Sequence, residues 1–131
     1  MNKGDQLLEP FDGAVFYENK DLYACVASYP IAPGHCIVAW KKPVKDIHLL
    51  TRKEYELIMD TVDKVRDALL AYYHTDKVYL LYLDEVDHVH WQLIPRLGKD
   101  TGFTLLEHHP KKCRDSELAT HLGKVMKEIR L

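Results

Sequence analysis

Cysteine is scarce in this 131-residue chain: Cys25, Cys36 and Cys113 are the three, odd in number and widely spaced. A disulfide framework is not expected, and a reducing cytoplasm is the expected compartment. No stretch approaches the ~18 consecutive apolar residues of a membrane-spanning helix. The opening Met1-Asn2-Lys3-Gly4-Asp5-Gln6 has no apolar run of secretory-leader type, so no leader is expected. Neither sign of charge is in large excess: 18 Lys and Arg stand against 20 Asp and Glu, a formal net charge of −2. The isoelectric point is about 6.4, which excludes nucleic-acid binding driven by net charge. The six glycines and six prolines are scattered, without a linker, repeat or low-complexity segment. What remains is 47% hydrophobic and 29% charged, the balance of an ordered globular chain. One domain over residues 1–131, with one core, is the expectation.

Ala14-Val15-Phe16-Tyr17 reads as a strand, closed by the turn-forming Glu18-Asn19-Lys20-Asp21, and residues 22–27 as its hairpin partner. Tyr29-Pro30-Ile31-Ala32-Pro33-Gly34 must be a loop, because two prolines and a glycine cannot continue a ladder. Residues 35–40 form a third strand. Thr51 with Glu54 three residues on is a capping-box signature. Tyr55, Ile58, Met59, Val62, Val65, Leu69 and Tyr72 then follow at helical spacing and predict one long amphipathic helix. Residues 78–83 suit a central strand. Asp84-Glu85-Val86-Asp87 breaks it, and residues 88–94 form the next strand, stopped by Pro95. Ser116 reads as an N-cap. Leu118, Leu122, Val125, Met126 and Ile129 mark a C-terminal helix. The expected fold is α+β: a mainly antiparallel sheet of about five strands, covered on one face by helices.

The run His88-Val89-His90-Trp91-Gln92-Leu93-Ile94-Pro95-Arg96 carries the chemistry. Alternation along a strand puts His88, His90 and Gln92 on one face and Val89, Trp91 and Leu93 on the other. Polar side chains in a row on a central strand are unfavourable unless satisfied or functional. A neutral imidazole is a nucleophile that can attack phosphorus, provided its second nitrogen holds the proton and is oriented. Two same-face histidines also suit a shared metal ion, and a plain pair of hydrogen-bonded surface histidines fits the spacing as well. Trp91 reads as a core anchor, and Cys25 and Cys36 as small buried side chains. His108-His109 with Cys113 is a weak metal cluster, more simply read as exposed loop. His74 suits the C-terminal turn of the long helix.

This run resembles the signature of the histidine triad (HIT) superfamily, in which His-x-His-x-His is followed by apolar residues and often Pro-Arg. Pro33-Gly34-His35-Cys36-Ile37-Val38 resembles the family's Pro-Gly-His segment, and Lys41-Lys42-Pro43-Val44 its basic segment. The likeness is strongest over residues 15–96 and implies a small HIT-like domain that pairs as a homodimer. It implies a nucleotide substrate, such as a dinucleoside polyphosphate, attacked at the α-phosphate through a nucleotidyl-histidine intermediate. His90 would be the nucleophile, His88 its supporting histidine, and His35 a neighbour in the same site, with Lys42 and Arg96 as candidates for an electropositive rim. No cofactor and no metal are implied.

The chain departs from the family pattern at several places. Gln92 takes the place of the third histidine. An amide donates a hydrogen bond but delivers no proton, so leaving groups that need protonation should suffer. The superfamily's transferase branches carry Gln there, which leaves hydrolase and transferase both open. The turn 84–87 is acidic where relatives often carry a glycine-rich phosphate loop. Ser28 stands where relatives often have a ribose-binding Asp, and Pro43 where another histidine is common. A nucleotide-binding protein with little turnover is the alternative these departures raise, and a metal protein built on His88 and His90 a third.

Overall fold

The computed structural model describes residues 9–83, 86–99 and 101–129. Three strands form a meander: β1 (Val15–Glu18), β2 (Leu22–Val26) and β3 (Cys36–Trp40). A 3₁₀ turn (Ile47–Leu49) leads into helix α1 (Arg52–Tyr73), followed by β4 (Val78–Leu81) and β5 (His90–Pro95). A short helix α2 (Gly102–Leu105) and helix α3 (Ser116–Glu128) complete the order. All strand pairs are antiparallel and the sheet runs β1-β2-β3-β5-β4. The predicted α+β class and five-stranded antiparallel sheet are thus what the chain forms.

The local reasons are visible in the sequence. The Thr51 hydroxyl accepts from the Glu54 N–H (3.1 Å) and the Glu54 carboxylate accepts from the Thr51 N–H (2.9 Å), closing the capping box. The Glu54 carboxyl is held below its ordinary pKa by these bonds. α1 ends at His74, which adopts the left-handed conformation (φ 53°) and returns its N–H to the Leu70 carbonyl. Ile58, Val62, Val65 and Leu69 are buried as the stripe predicts, joined by Thr61 and Ala68, whereas Tyr55 is exposed. At α3 the cap differs from expectation. Asp115, not Ser116, accepts the Leu118 N–H (2.9 Å), and Ser116 is the first helical residue. The longer reach of the carboxylate, one residue earlier, satisfies the same orphan donor.

Leu22, Ala24, Val26, Cys36, Val38, Trp40, Val89 and Leu93 face α1 and α3 and form the main core. The other face was expected to be open. It is instead buried over Cys25, Ala27, Ile37 and Ala39, with Phe11, Tyr23 and Val86 packed against it. β3 is therefore buried on both sides, which explains its unbroken apolar composition. Cys25 and Cys36 sit in these two different clusters, on opposite sides of the sheet, and both are free thiols. Burial pushes the Cys25 thiol up to about 12 and Cys36 well above its ordinary value, so both are unreactive. Among the described residues, no helix is long and apolar enough to cross a membrane.

Candidate functional site

The site lies on the second face of the sheet, where β5 runs between β3 and β4. Ile37 stands across from Gln92 and Ala39 across from His90. Directly opposed residues share a face, so His90 and Gln92 project beside Ile37 and Ala39. His35 precedes Ile37 by two residues and is the diagonal neighbour of Gln92. The three side chains thus form one oblique polar row across an otherwise apolar surface.

His90 is 7% exposed, and its Nδ1 lies 2.9 Å from the backbone carbonyl of His88. A carbonyl only accepts, so Nδ1 must carry the proton and donate. In the neutral ring the lone pair then belongs to Nε2. That tautomer is the one a nucleophilic imidazole needs. His88 serves it through its main chain. Its ring does something else: Nε2–H donates to the Trp40 carbonyl (2.5 Å) at the end of β3. Expected within the strand, His88 lies before it. Val89 makes the transition, giving its N–H to the Val44 carbonyl (2.8 Å) and accepting from the Trp40 N–H (3.1 Å). The start of β5 is therefore bound to the segment that follows β3.

His35 is 3% exposed. Its Nδ1 accepts the Ile31 N–H (3.1 Å), so the ring proton sits on Nε2, which donates to Gln92 Oε1 (2.8 Å). Burial lowers the His35 pKa to about 4, against the opposing effect of the Gln92 hydrogen bond. Protonating Nδ1 would also set two donors against each other at Ile31. The neutral ring fixes which way the Gln92 amide is turned: its oxygen accepts from His35, leaving the NH₂ group as the donor.

Gly34 makes this placement possible. Its φ is +86°, and a Cβ there would lie 2.5 Å from Tyr73 Cε2 and 2.7 Å from Pro95 Cγ. Only glycine fits the turn that hands the chain to His35.

The remaining sequence candidates are not brought to this row. Ser28 is buried; its carbonyl accepts the Cys113 N–H (2.8 Å), and it lines a separate polar cleft with Tyr29, Lys112 and Arg114. Lys42 is exposed and acts electrostatically on Glu54 in the first turn of α1. Arg96 pairs with Asp76 (3.4 Å) past the other end of β5, four residues or roughly 13 Å along the chain from Gln92. Lys42 and Arg96 thus flank opposite ends of the strand. Asp84 and Glu85 of the acidic turn lie outside the described residues; Val86 packs against the site face and Asp87 is exposed. His108 donates from Nδ1 to the Ile31 carbonyl (2.9 Å), tying the segment after α2 to the loop that holds His35. Among the described residues, no group of three or more His, Cys, Asp or Glu side chains converges as a metal site.

Sequence reasoning missed two features. One is the Ile31 N–H that sets the His35 tautomer. The other is an apolar flank beside Gln92, formed by Leu81, Tyr79 and Ile94 beneath residues 101–106. The apolar run 78–83 was the available signal for the second; expected to be a central strand, it forms the edge strand β4 over Val78–Leu81.

A family model described as HIT domain matches residues 10–99. The fold is similar to that of a histidine triad protein from Marinobacter aquaeolei VT8, with TM-score 0.75, 12% identity and 98% of each chain covered. It is similar to the C. elegans NitFhit protein, with TM-score 0.71 and 21% identity over 86% of this chain and 27% of that one. This chain therefore spans little more than a quarter of that protein's length. A third similar structure is Plasmodium falciparum diadenosine triphosphate hydrolase in complex with Cyclomarin A, with TM-score 0.65 and 21% identity, covering 93% of this chain and 79% of that one. At these identities the likeness is one of fold.

Proposed function

This chain belongs to the HIT-domain family, and on that premise we propose that it is a nucleotidyl hydrolase or transferase in which His90 attacks the α-phosphate of a nucleotide. The substrate is a dinucleoside polyphosphate or a related nucleotide. The diadenosine triphosphate hydrolase among the similar folds supports that class. The observation that carries the reading is the hydrogen bond from His90 Nδ1 to the His88 carbonyl, which puts the ring proton on Nδ1 and the lone pair on Nε2.

In the first step the Nε2–P bond forms and the bond from phosphorus to the leaving group breaks, the electron pair leaving with the latter. The Nδ1 proton stays on the ring, and the His88 carbonyl stabilises the charge that develops there. The Gln92 NH₂ group donates to a phosphate oxygen. In the second step water, or an acceptor phosphate, takes the nucleotidyl group and returns the electron pair to Nε2. His35 acts as a positioning residue through Gln92. Pairing into a homodimer and a cytoplasmic location belong to the same proposal.

Intact-mass measurement after rapid acid-free quenching tests it. A panel of dinucleoside polyphosphates, nucleotide sugars and an adenosine phosphoramidate is turned over by wild type and by His90→Ala. The expected result is turnover by wild type, with a mass gain of one nucleoside monophosphate where the intermediate accumulates, and neither in the variant. Loss of the adduct in water identifies a hydrolase; persistence until phosphate or a sugar phosphate is added identifies a transferase. Nucleotide binding without adduct or product from any substrate would replace this reading by that of a binding protein.

A further inference from the structure

The loop that leads into His35 is held by polar tethers more than by packing. Tyr29 and Pro33 are exposed, and Pro30, Ile31 and Ala32 are half-buried. Two clefts border it, one of about 420 Å³ reaching Leu118 of α3 and one of about 270 Å³ reaching Arg96 and Leu105. Close packing begins only at Gly34, against Tyr73 and Pro95. Upstream of it, Ile31 is fixed at both of its main-chain groups. Its N–H donates to His35 Nδ1 (3.1 Å), and its carbonyl accepts from His108 Nδ1 (2.9 Å).

His108 belongs to a segment without an apolar anchor. Leu105 and Leu118 are buried, but every residue from 106 to 117 is exposed. Such a segment gains little from hydrophobic burial, so its place on the body depends on hydrogen bonds. One is main-chain, from the Cys113 N–H to the Ser28 carbonyl (2.8 Å). The other is the His108 ring. A carbonyl only accepts, so His108 Nδ1 carries its proton and donates. The bonds then run in series: His108 to the Ile31 carbonyl, the Ile31 N–H to His35 Nδ1, and His35 Nε2–H to Gln92 Oε1 (2.8 Å).

The other neutral tautomer of His35 would carry its proton on Nδ1, against the Ile31 N–H. Its Nε2 would be an acceptor, so the Gln92 amide would turn over and give its NH₂ group to His35, leaving the oxygen outward. Rotating Ile31 away removes that obstacle, and the His108 bond opposes the rotation. We infer that His108 is a positioning residue: by fixing Ile31 it holds His35 in one tautomer and the Gln92 amide in one orientation. Its effect on turnover rests on the proposed function, in which the Gln92 NH₂ group donates to phosphate. Its effect on the His35 ring does not.

Heteronuclear NMR of the histidine ring nitrogens at neutral pH, where His35 is uncharged, reads the tautomer without any substrate. In wild type the His35 Nε2 shift is expected to be that of a protonated nitrogen and the Nδ1 shift that of a bare one. His108→Ala, at an exposed position, is expected to draw the two shifts toward each other as both tautomers become populated. His108→Asn, whose amide nitrogen takes the place of Nδ1, is expected to restore them. His109→Ala, which removes the adjacent exposed ring, is expected to leave them unchanged. Unaltered His35 shifts in His108→Ala overturn the inference, whatever the activity. With diadenosine triphosphate as substrate, His108→Ala is expected to lower kcat/KM by roughly 3- to 10-fold, the worth of about one net hydrogen bond. In a Gln92→Ala background the same change is expected to cost less than about 1.5-fold. Equal losses in the two backgrounds overturn the link to Gln92. Altered shifts in His108→Ala, with no turnover by wild type and no adduct from any nucleotide, overturn the proposed function and leave the positioning of His35 standing.

Discussion

Replacing Gly34 by alanine should destabilise the chain by about 3 kcal/mol. Two effects add. An L-residue at φ +86° is strained by about 1–2 kcal/mol. The new Cβ would sit 2.5 Å from Tyr73 Cε2 and 2.7 Å from Pro95 Cγ, inside van der Waals contact, and overpacking of this kind costs about 1–3 kcal/mol. Neither neighbour can move aside easily. Tyr73 packs edge-on against Tyr72 with ring centroids 4.9 Å apart, and Pro95 is a buried residue of β5 paired with Val78. The stiffer unfolded chain offsets about 0.4–1 kcal/mol. Gly13→Ala is the matched control. Its φ is also +86°, but its Cβ would meet only Ser116 Cβ, at 3.2 Å, so a loss of about 1 kcal/mol is expected. Urea unfolding of both variants and wild type measures the difference. Gly34→Ala should also lower Tm by about 10 °C. Equal losses in the two variants, or less than about 1 kcal/mol for Gly34→Ala, would refute the claim that the Tyr73 and Pro95 contacts reserve this position for glycine.

Acid should destabilise the fold through His35. The unfolded chain takes up this proton near 6.5 and the folded chain only near about 4. Between those values the unfolded state binds more protons, so the contribution is full above pH 6.5 and falls as the pH drops toward 4. Its size is on the order of 3 kcal/mol. Urea unfolding of wild type and His35→Gln across that range should show a shallower pH slope in the variant; parallel slopes would refute the assignment. Gln92→His would restore a proton donor, raising kcat/KM for substrates with basic leaving groups by ~10²–10⁴-fold while changing acidic ones little. A plot of log kcat/KM against leaving-group pKa would then flatten, and an unaltered slope would show that position 92 does not face the leaving group. His74→Gly should stabilise by about 0.5–1 kcal/mol, since the left-handed C-cap (φ 53°) is strain-free only for glycine; a loss in thermal melting would mean that the imidazole makes a compensating contact.

The elements legible in the sequence are those specified by neighbours in the chain. Thr51 and Glu54 announce the start of α1, and the spacing from Ile58 to Leu69 announces its buried face. The shared face of His90 and Gln92 follows from strand alternation alone. What was not legible depends on partners far away. β5 begins at His90 because Val89 and the His88 ring are taken by Val44 and Trp40. The burial of the second face depends on Phe11, Tyr23 and Val86, which no periodicity connects to β3. The neutral state of His35 depends on the Ile31 N–H in a loop read only as a ladder breaker. Lys42 and Arg96 looked equivalent as basic residues near the motif, but β5 separates them.

The bond between His35 and Gln92 joins residues 57 apart in the chain. β1, β2 and β3 form a local meander, and α1 carries its own capping box, so both can gain structure early. β5 must then return past α1 and β4 to insert between β3 and β4. Closing so long a loop is entropically unfavourable until native packing holds it. The link between His35 and Gln92 therefore waits on the joint between β3 and β5. A partly folded chain would have most of its helix and a three-stranded meander, yet no oriented amide. On refolding, recovery of turnover should lag recovery of ellipticity, making the activity of this chain a reporter of when its sheet is complete.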